Sequence, residues 1–372
     1  MLSYTRTLDQ KTAPPVTIAL DATPLSVPTG GVARYTLELA RALAVRFPAD
    51  LYWLLSDQAI PPLAGLPPNL NIGGFAGNPL ARKWWLFGLQ REMARVGANL
   101  FHGTDFSVPY LPVKPSVLTL HDLSPWIVSM SETAWQPDAG RVRTRTPRLL
   151  RMGLATMVIT PSKAIRNAAI DRFSLSPDRV VAIPLAAGGH FRPVLVPPEA
   201  RPYFLFIGTL EPRKNIARLI EAWREVRRKF EVDLVLAGRV RKDFPTPEPE
   251  PGLRVLGAAK EEALPALYSG AAACLYPSLY EGFGLPVLEA MQCGALVITS
   301  RDPAIQEVAG DAAIAVEATD TRALAQAMQG VLTNPEAFAE LREKALHRAR
   351  DFTWERTAER TREVYNAAFH KF

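Results

Sequence analysis

Short apolar segments alternate with longer amphipathic segments along most of the chain. Val16 to Leu20 is apolar, contains β-branched residues and ends at a polar position, as a buried strand does. In the segment that follows, apolar residues recur at three- or four-residue steps (Ala33, Leu37, Ala40, Ala44), which predicts a helix with one buried face. Repeated strand-helix alternation predicts an α/β fold with mostly parallel sheets covered on both faces.

The same pattern predicts the other elements. The predicted strands are Val16 to Leu20, Leu51 to Leu55, Asn99 to His102, Ser116 to His121, Thr156 to Thr160, Arg179 to Pro184, Tyr203 to Ile207, Val232 to Leu236, Arg254 to Leu256 and Ala271 to Tyr276. The predicted helices include Leu80 to Val96, Ser162 to Phe173, Lys260 to Ser269, Pro286 to Cys293, Thr321 to Leu332, Pro335 to Arg350 and a last one ending near Phe369.

A proline-rich segment divides the chain. The whole chain has 372 residues, which exceeds the usual size of one compact core. The stretch from Arg192 to Pro202 has four prolines in eleven residues. Such a stretch continues neither a helix nor a central strand. We therefore predict a domain over 1–192, a linker over 193–202, a second Rossmann-like domain over 203–351 and a terminal helix over 352–372.

Composition restricts the partners. The formal charge of +6 and the pI near 9.4 fit a solvated surface, an anionic substrate or an anionic membrane face. The charges form no block or basic-aromatic repeat typical of nucleic-acid binding. No apolar run approaches the roughly 20 residues of a membrane span, and the segment Met1 to Lys11 lacks an apolar signal core. With Cys274 and Cys293 both in apolar segments, we expect a cytoplasmic protein.

The stretch from Pro277 to Met291 carries the most specific chemistry. Glycines open a turn after a predicted strand, and Pro286 suits the first position of a helix. The amides of Gly284 and Leu285 then form an anion site. Glu281 and Glu289 lie eight positions apart on either side, so a bound phosphate would have a hydroxyl acceptor on each flank, as in a sugar nucleotide. Alternatively, the two carboxylates only complement the helix dipole.

A second cluster begins the C-terminal half. After Gly208 and Thr209, Arg213 and Lys214 stand just before a predicted helix, where cations oppose the helix dipole. An anion between them and the helix would remove the conflict, and the pair would then neutralise a diphosphate. The alternative is two basic side chains that extend into water. The turn at Ala258 is a candidate for part of a base pocket.

Polar residues also end strands in the N-terminal half. Ligands of parallel sheets bind outside the carboxyl ends of strands, which marks Asp21, His102, His121 and Asp122. The glycine pair Gly30 and Gly31 either allows a ligand close to the backbone or is an ordinary turn. No His, Cys and Asp spacing matches a metal site.

Two basic segments remain. Arg82 to Trp85 joins cations to aromatic residues, and Arg141, Arg145 and Arg148 recur at four- and three-residue steps. They form a solvated face or, alternatively, contact anionic lipid at the membrane surface, which would suit a lipid-linked acceptor.

In this order the motifs resemble the retaining GT-B glycosyltransferases of family 4, the group 1 glycosyltransferases. The resemblance covers nearly the whole chain. It rests on Asp21 with Gly30, Gly31 and Tyr35, on Phe101-His102-Gly103, on His121-Asp122-Leu123, on Gly208 to Asn215 and on Glu281 to Glu289. It implies two Rossmann-like domains facing a cleft, with the terminal helix crossing back to the N-terminal domain.

The resemblance also implies residue roles. Glu289 would bind the ribose hydroxyls, Glu281 the transferred sugar and the Gly284 and Leu285 amides the distal phosphate. Arg213 and Lys214 would bind the diphosphate, and His121 would orient the sugar. Further donor-side candidates are Gly30, Gly31, Thr209, Ala258, Gly282 and Phe283; Asp21, His102 and Asp122 are acceptor-side candidates. Some members carry arginine where this chain has Thr209, so either Arg213 supplies that charge or phosphate binding is weaker than usual.

The implied activity is retaining, metal-independent transfer of a hexose, without a cofactor, to a glycan or lipid-linked acceptor. The segment Gly208 to Asn215 resembles polysaccharide mannosyltransferases, so GDP-mannose is the first expected donor and a UDP-hexose the second. A GT-B epimerase or phosphorylase and a catalytically silent nucleotide-sugar-binding module are the alternatives. No oligomeric state is predicted.

Overall fold

The computed structural model describes residues 15–27, 30–74, 83–111, 113–127, 139–197, 199–242 and 244–372. In the N-terminal part, seven parallel strands form one sheet in the order β3-β2-β1-β4-β5-β6-β7. They are β1 Thr17–Asp21, β2 Leu51–Leu55, β3 Leu70–Gly73, β4 Leu100–Gly103, β5 Ser116–Thr119, β6 Met157–Thr160 and β7 Val180–Ala182. Helices α1 Gly31–Arg46, α2 Leu89–Arg95, α3 Ala139–Arg151 and α4 Lys163–Phe173 accompany the sheet.

The C-terminal part repeats this architecture with six parallel strands in the order β10-β9-β8-β11-β12-β13. The strands are β8 Tyr203–Ile207, β9 Asp233–Ala237, β10 Leu253–Gly257, β11 Ala273–Tyr276, β12 Val297–Ser300 and β13 Ile314–Val316. The helices are α5 Ile216–Arg227, α6 Leu264–Gly270, α7 Leu285–Gln292, α8 Pro303–Ala309, α9 Thr321–Thr333, α10 Ala339–Ala349 and α11 Trp354–Lys371. The predicted α/β fold of two parallel-sheet domains is confirmed.

Each sheet has a point at which the strand order reverses. In the first sheet the reversal lies between β1 and β4, and in the second between β8 and β11. Helices leave opposite faces of a sheet at such a point and open a crevice beyond the carboxyl ends of the two strands. Asp21 ends β1, while Pro277 to Glu281 follows β11. Both crevices are therefore lined by residues singled out above.

The last helix returns to the N-terminal domain. α11 packs along α1, and Arg362 on α11 forms a buried ion pair with Asp50 (Nε to Oδ2, 2.7 Å). The Tyr365 hydroxyl lies 2.7 Å from His102 Nδ1, and Thr119 Oγ1 lies 2.8 Å from the other ring nitrogen. The expected crossing of the terminal helix is thus confirmed.

His102 was an acceptor-side candidate, and the structure corrects that interpretation. Its side chain is completely buried, and both ring nitrogens have partners in the domain core. Burial lowers the pKa of the imidazole to about 3, so the ring is neutral. We therefore assign His102 the structural role of anchoring α11.

Several other elements differ from prediction. Within the predicted helix Leu80 to Val96, residues 80–82 lie outside the described ranges, and the rest divides into a π-helical turn, Trp84–Gly88, and α2. Strands β3, β12 and β13 were not predicted. β3 and β13 are edge strands of four and three residues, and a segment this short does not show a repeating pattern of hydrophobic and polar positions.

We expect Tyr365→Phe to lower the free energy of unfolding by about 1–2 kcal/mol, because the change leaves a buried His102 nitrogen without its partner. Chemical denaturation measures the change. Glu359→Gln on the same helix is the control. The Glu359 carboxylate pairs with Arg46 at the surface, so this substitution should lower the free energy of unfolding by less than about 0.5 kcal/mol. Equal effects of the two substitutions would contradict the anchoring role of His102.

Candidate active site

The turn after β11 brings the two glutamates together. Gly284 stands at the N-cap of α7 with φ of 103°, a conformation that favours glycine, and a proline occupies the first turn of the helix. No side chain caps this end of α7. Pro286 has no N–H and the Val287 N–H bonds the Gly284 carbonyl at 3.0 Å, so a ligand at this end would meet the amides of Gly284 and Leu285. This local geometry suits an anion at the helix terminus.

Glu281 lies between two cations. Its Oε1 accepts a hydrogen bond from Lys214 Nζ at 2.5 Å and its Oε2 accepts one from Arg213 Nη1 at 2.9 Å. Lys214 also donates to the Tyr276 hydroxyl at 2.6 Å. Arg213 further pairs with Glu211, Nε to Oε1, at 2.6 Å. The predicted basic pair and the first glutamate therefore form one buried network.

This network sets the charge of Glu281. Burial works to raise its pKa, but the Lys214 ammonium and then the Arg213 guanidinium outweigh burial and hold the pKa at about 2. The carboxylate is thus ionised at neutral pH. Arg241 also pairs with Glu211, Nη1 to Oε2, at 3.1 Å. Three cations therefore surround the carboxylates of Glu211 and Glu281, which leaves a net positive charge suited to a diphosphate.

Glu289 lies in α7 and is also buried. Its Oε2 accepts a hydrogen bond from the Tyr268 hydroxyl at 2.8 Å. Its Oε1 pairs with Arg34, which α1 presents from the other domain. Burial raises the pKa of the Glu289 carboxyl to about 7, against the opposing effect of Arg34. The second glutamate is therefore a carboxylate shared by both domains.

His121 faces this turn from the N-terminal sheet. Its Nε2 lies 2.7 Å from the carbonyl oxygen of Thr104, which only accepts, so Nε2 carries the proton. Burial lowers the pKa of the ring, which is therefore neutral at neutral pH. A Cβ at Gly282 would collide with the His121 carbonyl, so only glycine allows the two turns to approach.

Three further contacts close the cleft around the turn. The Leu123 N–H donates to the Tyr280 hydroxyl at 2.8 Å, and the Ser162 hydroxyl donates to the Gly282 carbonyl at 2.8 Å. Glu307 on α8 accepts hydrogen bonds from the N–H groups of Lys163 and Ala164 at 2.8 and 2.7 Å. A carboxylate of one domain therefore caps helix α4 of the other.

Carboxylates gather on the N-terminal side of the cleft. Burial raises the pKa of Asp21 to about 7, and it raises that of Asp105 to about 7 as well, with Asp21 and Asp122 adding repulsion. Among the described residues, the buried Oδ1 of Asp105 has no hydrogen-bond partner. Asp122 accepts from the Ser124 amide and hydroxyl at 2.9 and 2.7 Å. Asp21 and Asp122 thus flank an acidic group suited to sugar hydroxyls.

The other donor-side candidates occupy the rims of the cleft. Gly30 precedes α1 with φ of 126°, and a Cβ at Gly31 would meet open space, so packing alone does not require glycine at position 31. Thr209 and Ala258 are exposed just after β8 and β10. Phe283 does not face the cleft: its ring packs against Phe352, with centroids 5.9 Å apart.

Sequence reasoning missed four residues of this region. They are Arg34, Tyr268 and Glu261, which surround Glu289, and Asp105, which lies beside Asp21. Arg34 stands three positions after the glycine pair, and its proximity to a predicted phosphate loop was the available signal. The other three are joined to the site only by tertiary packing.

In the described ranges no group of three or more His, Cys, Asp or Glu side chains is arranged to hold a metal ion. None of the described helices combines the length and apolar character that crossing a bilayer needs.

Two family profiles match consecutive parts of the chain. Residues 29–187 match Glycosyltransferase Family 4, and residues 190–351 match Glycosyl transferases group 1. The chain is 30% identical to O-antigen chain mannosyltransferase B of Escherichia coli, over 92% of this chain and 97% of that protein.

Solved structures share the fold. Sucrose-phosphate synthase from Thermosynechococcus elongatus superposes with a TM-score of 0.74 at 24% identity, over 96% of this chain and all (100%) of that one. Anabaena HepE, solved in complex with UDP-glucose, superposes with a TM-score of 0.69 at 16% identity, over 94% and 99% of the two chains. The two sheets and the cleft between them define a GT-B glycosyltransferase. The chain belongs to the group 1 glycosyltransferases of family 4, and it is a hexosyltransferase that resembles mannosyltransferases.

The buried network around Glu281 predicts a pH dependence of stability. Because its pKa is about 2 in the fold and about 4.5 when unshifted, its contribution is complete above about pH 4.5 and is lost as the pH falls toward 2. Replacing Glu281 with Gln should therefore cost about 3 kcal/mol of unfolding free energy at neutral pH and progressively less below about pH 4.5. Urea unfolding of both proteins across this range measures the difference. A cost independent of pH would contradict the ionised state of Glu281.

Proposed function

We propose that the protein transfers mannose from GDP-mannose, with retention of configuration and without a divalent metal ion, to a glycan or lipid-linked acceptor in polysaccharide biosynthesis. The observation that carries this proposal is the contact of Arg213 and Lys214 with Glu281 beside the α7 terminus. Cations and helix amides there suit a diphosphate, and the carboxylates suit hydroxyl groups. The likeness to O-antigen chain mannosyltransferase B favours mannose.

The donor is proposed to span the turn after β11. Its ribose hydroxyls bind Glu289, its distal phosphate binds the Gly284 and Leu285 amides, and its diphosphate meets Arg213 and Lys214. Two side-chain cations and a helix dipole then neutralise the leaving group, which is the task a divalent ion performs elsewhere. On binding, the phosphates share the two cations with Glu281, whose carboxylate turns toward hydroxyls of the transferred sugar.

The reaction proposed is a front-face displacement. The bond between the sugar C1 and the phosphate oxygen breaks, and the nucleoside diphosphate leaves with that electron pair. The acceptor oxygen forms its bond to C1 on the same face, and its proton passes to the departing phosphate oxygen. Neutral His121, held by Thr104, orients the sugar, and closure of the cleft excludes water.

A UDP-hexose is the second candidate donor, favoured by the Anabaena HepE complex with UDP-glucose. The side of the cleft that holds Asp21, Asp105 and Asp122 is proposed to receive the acceptor, since buried carboxylates bind sugar hydroxyls. A catalytically silent module would bind a nucleotide sugar through the same cations and release no nucleoside diphosphate with any acceptor.

We expect GDP to raise the melting temperature of the protein more than UDP does. Lys214→Ala should reduce the rate of sugar transfer by about 100-fold or more, because a group that stabilises the charge of the leaving diphosphate is lost. Glu289→Ala should weaken nucleotide binding. Thermal shift with both nucleotides, followed by assay of released GDP, tests these effects.

Lys229→Ala is the matched control, because this exposed lysine lies two residues beyond the C-terminal end of α5. Activity that survives the loss of Lys214 and Glu289 would contradict the donor site. Activity that disappears with chelator would contradict the metal-free reaction.

We further propose that the protein works at the cytoplasmic face of a membrane, as the free thiols of Cys274 and Cys293 and a basic-apolar face suggest. This face comprises exposed Leu86, Phe87, Leu111 and Val113 with the exposed cations Lys83, Lys114, Arg145 and Arg148. Its parts are connected: the Tyr110 N–H bonds the Trp85 carbonyl at 2.9 Å, and Arg145 donates to the Tyr110 hydroxyl at 3.2 Å. Apolar groups beside cations suit anionic lipid. Two of the basic residues predicted for this face are not covered by the structure. Arg82 lies outside the described residues, and so does the side chain of Arg141.

The double substitution Arg145→Ser and Arg148→Ser should weaken binding to phosphatidylglycerol vesicles by about 30-fold, because each surface cation contributes about 1 kcal/mol. Vesicle co-sedimentation measures the change, with phosphatidylcholine vesicles for comparison. Arg228→Ser with Lys229→Ser removes two exposed cations from the other domain and should have little effect. Equal losses in the two double variants would refute a specific membrane face.

A further inference from the structure

Arg34 is the residue by which the N-terminal domain contacts Glu289. It lies in the first turn of α1, four positions after Gly30, and its guanidinium pairs with the buried Glu289 carboxylate. The other oxygen of that carboxylate is bonded to Tyr268 within the C-terminal domain. Both oxygens of Glu289 therefore have partners, one from each domain.

A ribose diol binds a carboxylate best when each hydroxyl donates to one oxygen. Tyr268 takes one of the two lone pairs on Oε2 and leaves the second, but the charged Arg34 covers Oε1 from the cleft side. Glu289 is 2% exposed, so it has no free surface on which a diol could bind beside Arg34. The guanidinium and the ribose thus compete for one carboxylate.

Arg34 has a second place to bind. Its Nη2 lies 3.3 Å from Glu261 Oε1, and its guanidinium lies 5.7 Å from the centre of the Phe191 ring. Glu261 is about half exposed, so it can rearrange with the arginine. A displaced Arg34 therefore keeps a carboxylate and an aromatic partner, which lowers the cost of leaving Glu289.

We propose that Arg34 is a cross-domain positioning residue that occupies the ribose site of Glu289 in the donor-free protein and, when the nucleotide binds, leaves Glu289 and stays on Glu261. The inference rests on the proposed ribose-binding role of Glu289. Arg34 keeps its contact with Glu261 of the C-terminal domain in both states, and a ligand with ribose hydroxyls replaces it only on Glu289. The residue thereby links donor binding to the choice of ion pair between the domains.

The test is calorimetric titration of GDP and of 2′,3′-dideoxy-GDP into the wild type, Arg34→Ala, Glu261→Gln and the control Arg41→Ala. Arg41 lies on the same helix and pairs with Glu38 of that helix. We expect Arg34→Ala to bind GDP at least about fivefold more tightly while its affinity for dideoxy-GDP stays unchanged. Glu261→Gln should bind GDP more weakly, because the displaced arginine loses its second carboxylate. Arg41→Ala should match the wild type.

Opposite signs for the two substitutions distinguish competition from a general loss of structure. The inference is overturned if Arg34→Ala weakens GDP binding, or if it changes the affinities for GDP and dideoxy-GDP by the same factor. If GDP binding depends on Glu289 but not on Arg34, only this inference fails. If neither GDP nor UDP binds the wild type, the proposed function fails with it.

Discussion

A buried carboxylate between two cations organises the cleft. Glu281 holds Arg213 and Lys214 beside the turn that leads into α7. The pair stands just before α5, where the two charges would otherwise repel each other and oppose the dipole of that helix. Without an anion, burying two cations together would be costly, and Glu281 supplies that anion until a diphosphate arrives. The unfavourable position of the basic pair in the sequence is therefore resolved within the protein itself.

The parallel topology of the two sheets explains why this network meets the other domain. β11 ends at the turn that carries Glu281, and β5 ends just before His121, so parallel topology directs both turns into one cleft. Gly282 allows backbone contact between them, because any side chain there would strike the His121 carbonyl. The terminal helix then fastens one domain to the other through His102 and Tyr365.

Local patterns predicted most of the fold. The strand-turn-helix around Glu281 was predicted almost to the residue, because a short apolar run, glycines and Pro286 each act locally. Strands β3 and β13 are too short for periodicity, and β12 follows the apolar α7 after only a few residues. His102 was misassigned because a strand-end histidine looks the same in sequence whether it faces a cleft or a packed tyrosine.

Candidate site residues were recognised from the sequence where they share a segment and were missed where packing brings them together. Arg34 and Glu289 are 255 positions apart, and no pattern in either segment indicates their pairing. Burial also determines protonation: Glu281 and Glu289 are both buried glutamates, yet two cations lower the pKa of the first while desolvation raises that of the second. Sequence spacing alone treats them as equivalent.

The central claim is that the turn after β11 binds a nucleotide-sugar donor. A crystal structure of the protein with GDP-mannose tests it most directly. The account predicts ribose hydroxyls on Glu289, phosphates on the Gly284 and Leu285 amides with Arg213 and Lys214, and the sugar facing His121. A nucleotide bound elsewhere, or one whose phosphates contact neither Arg213 nor Lys214, would contradict it.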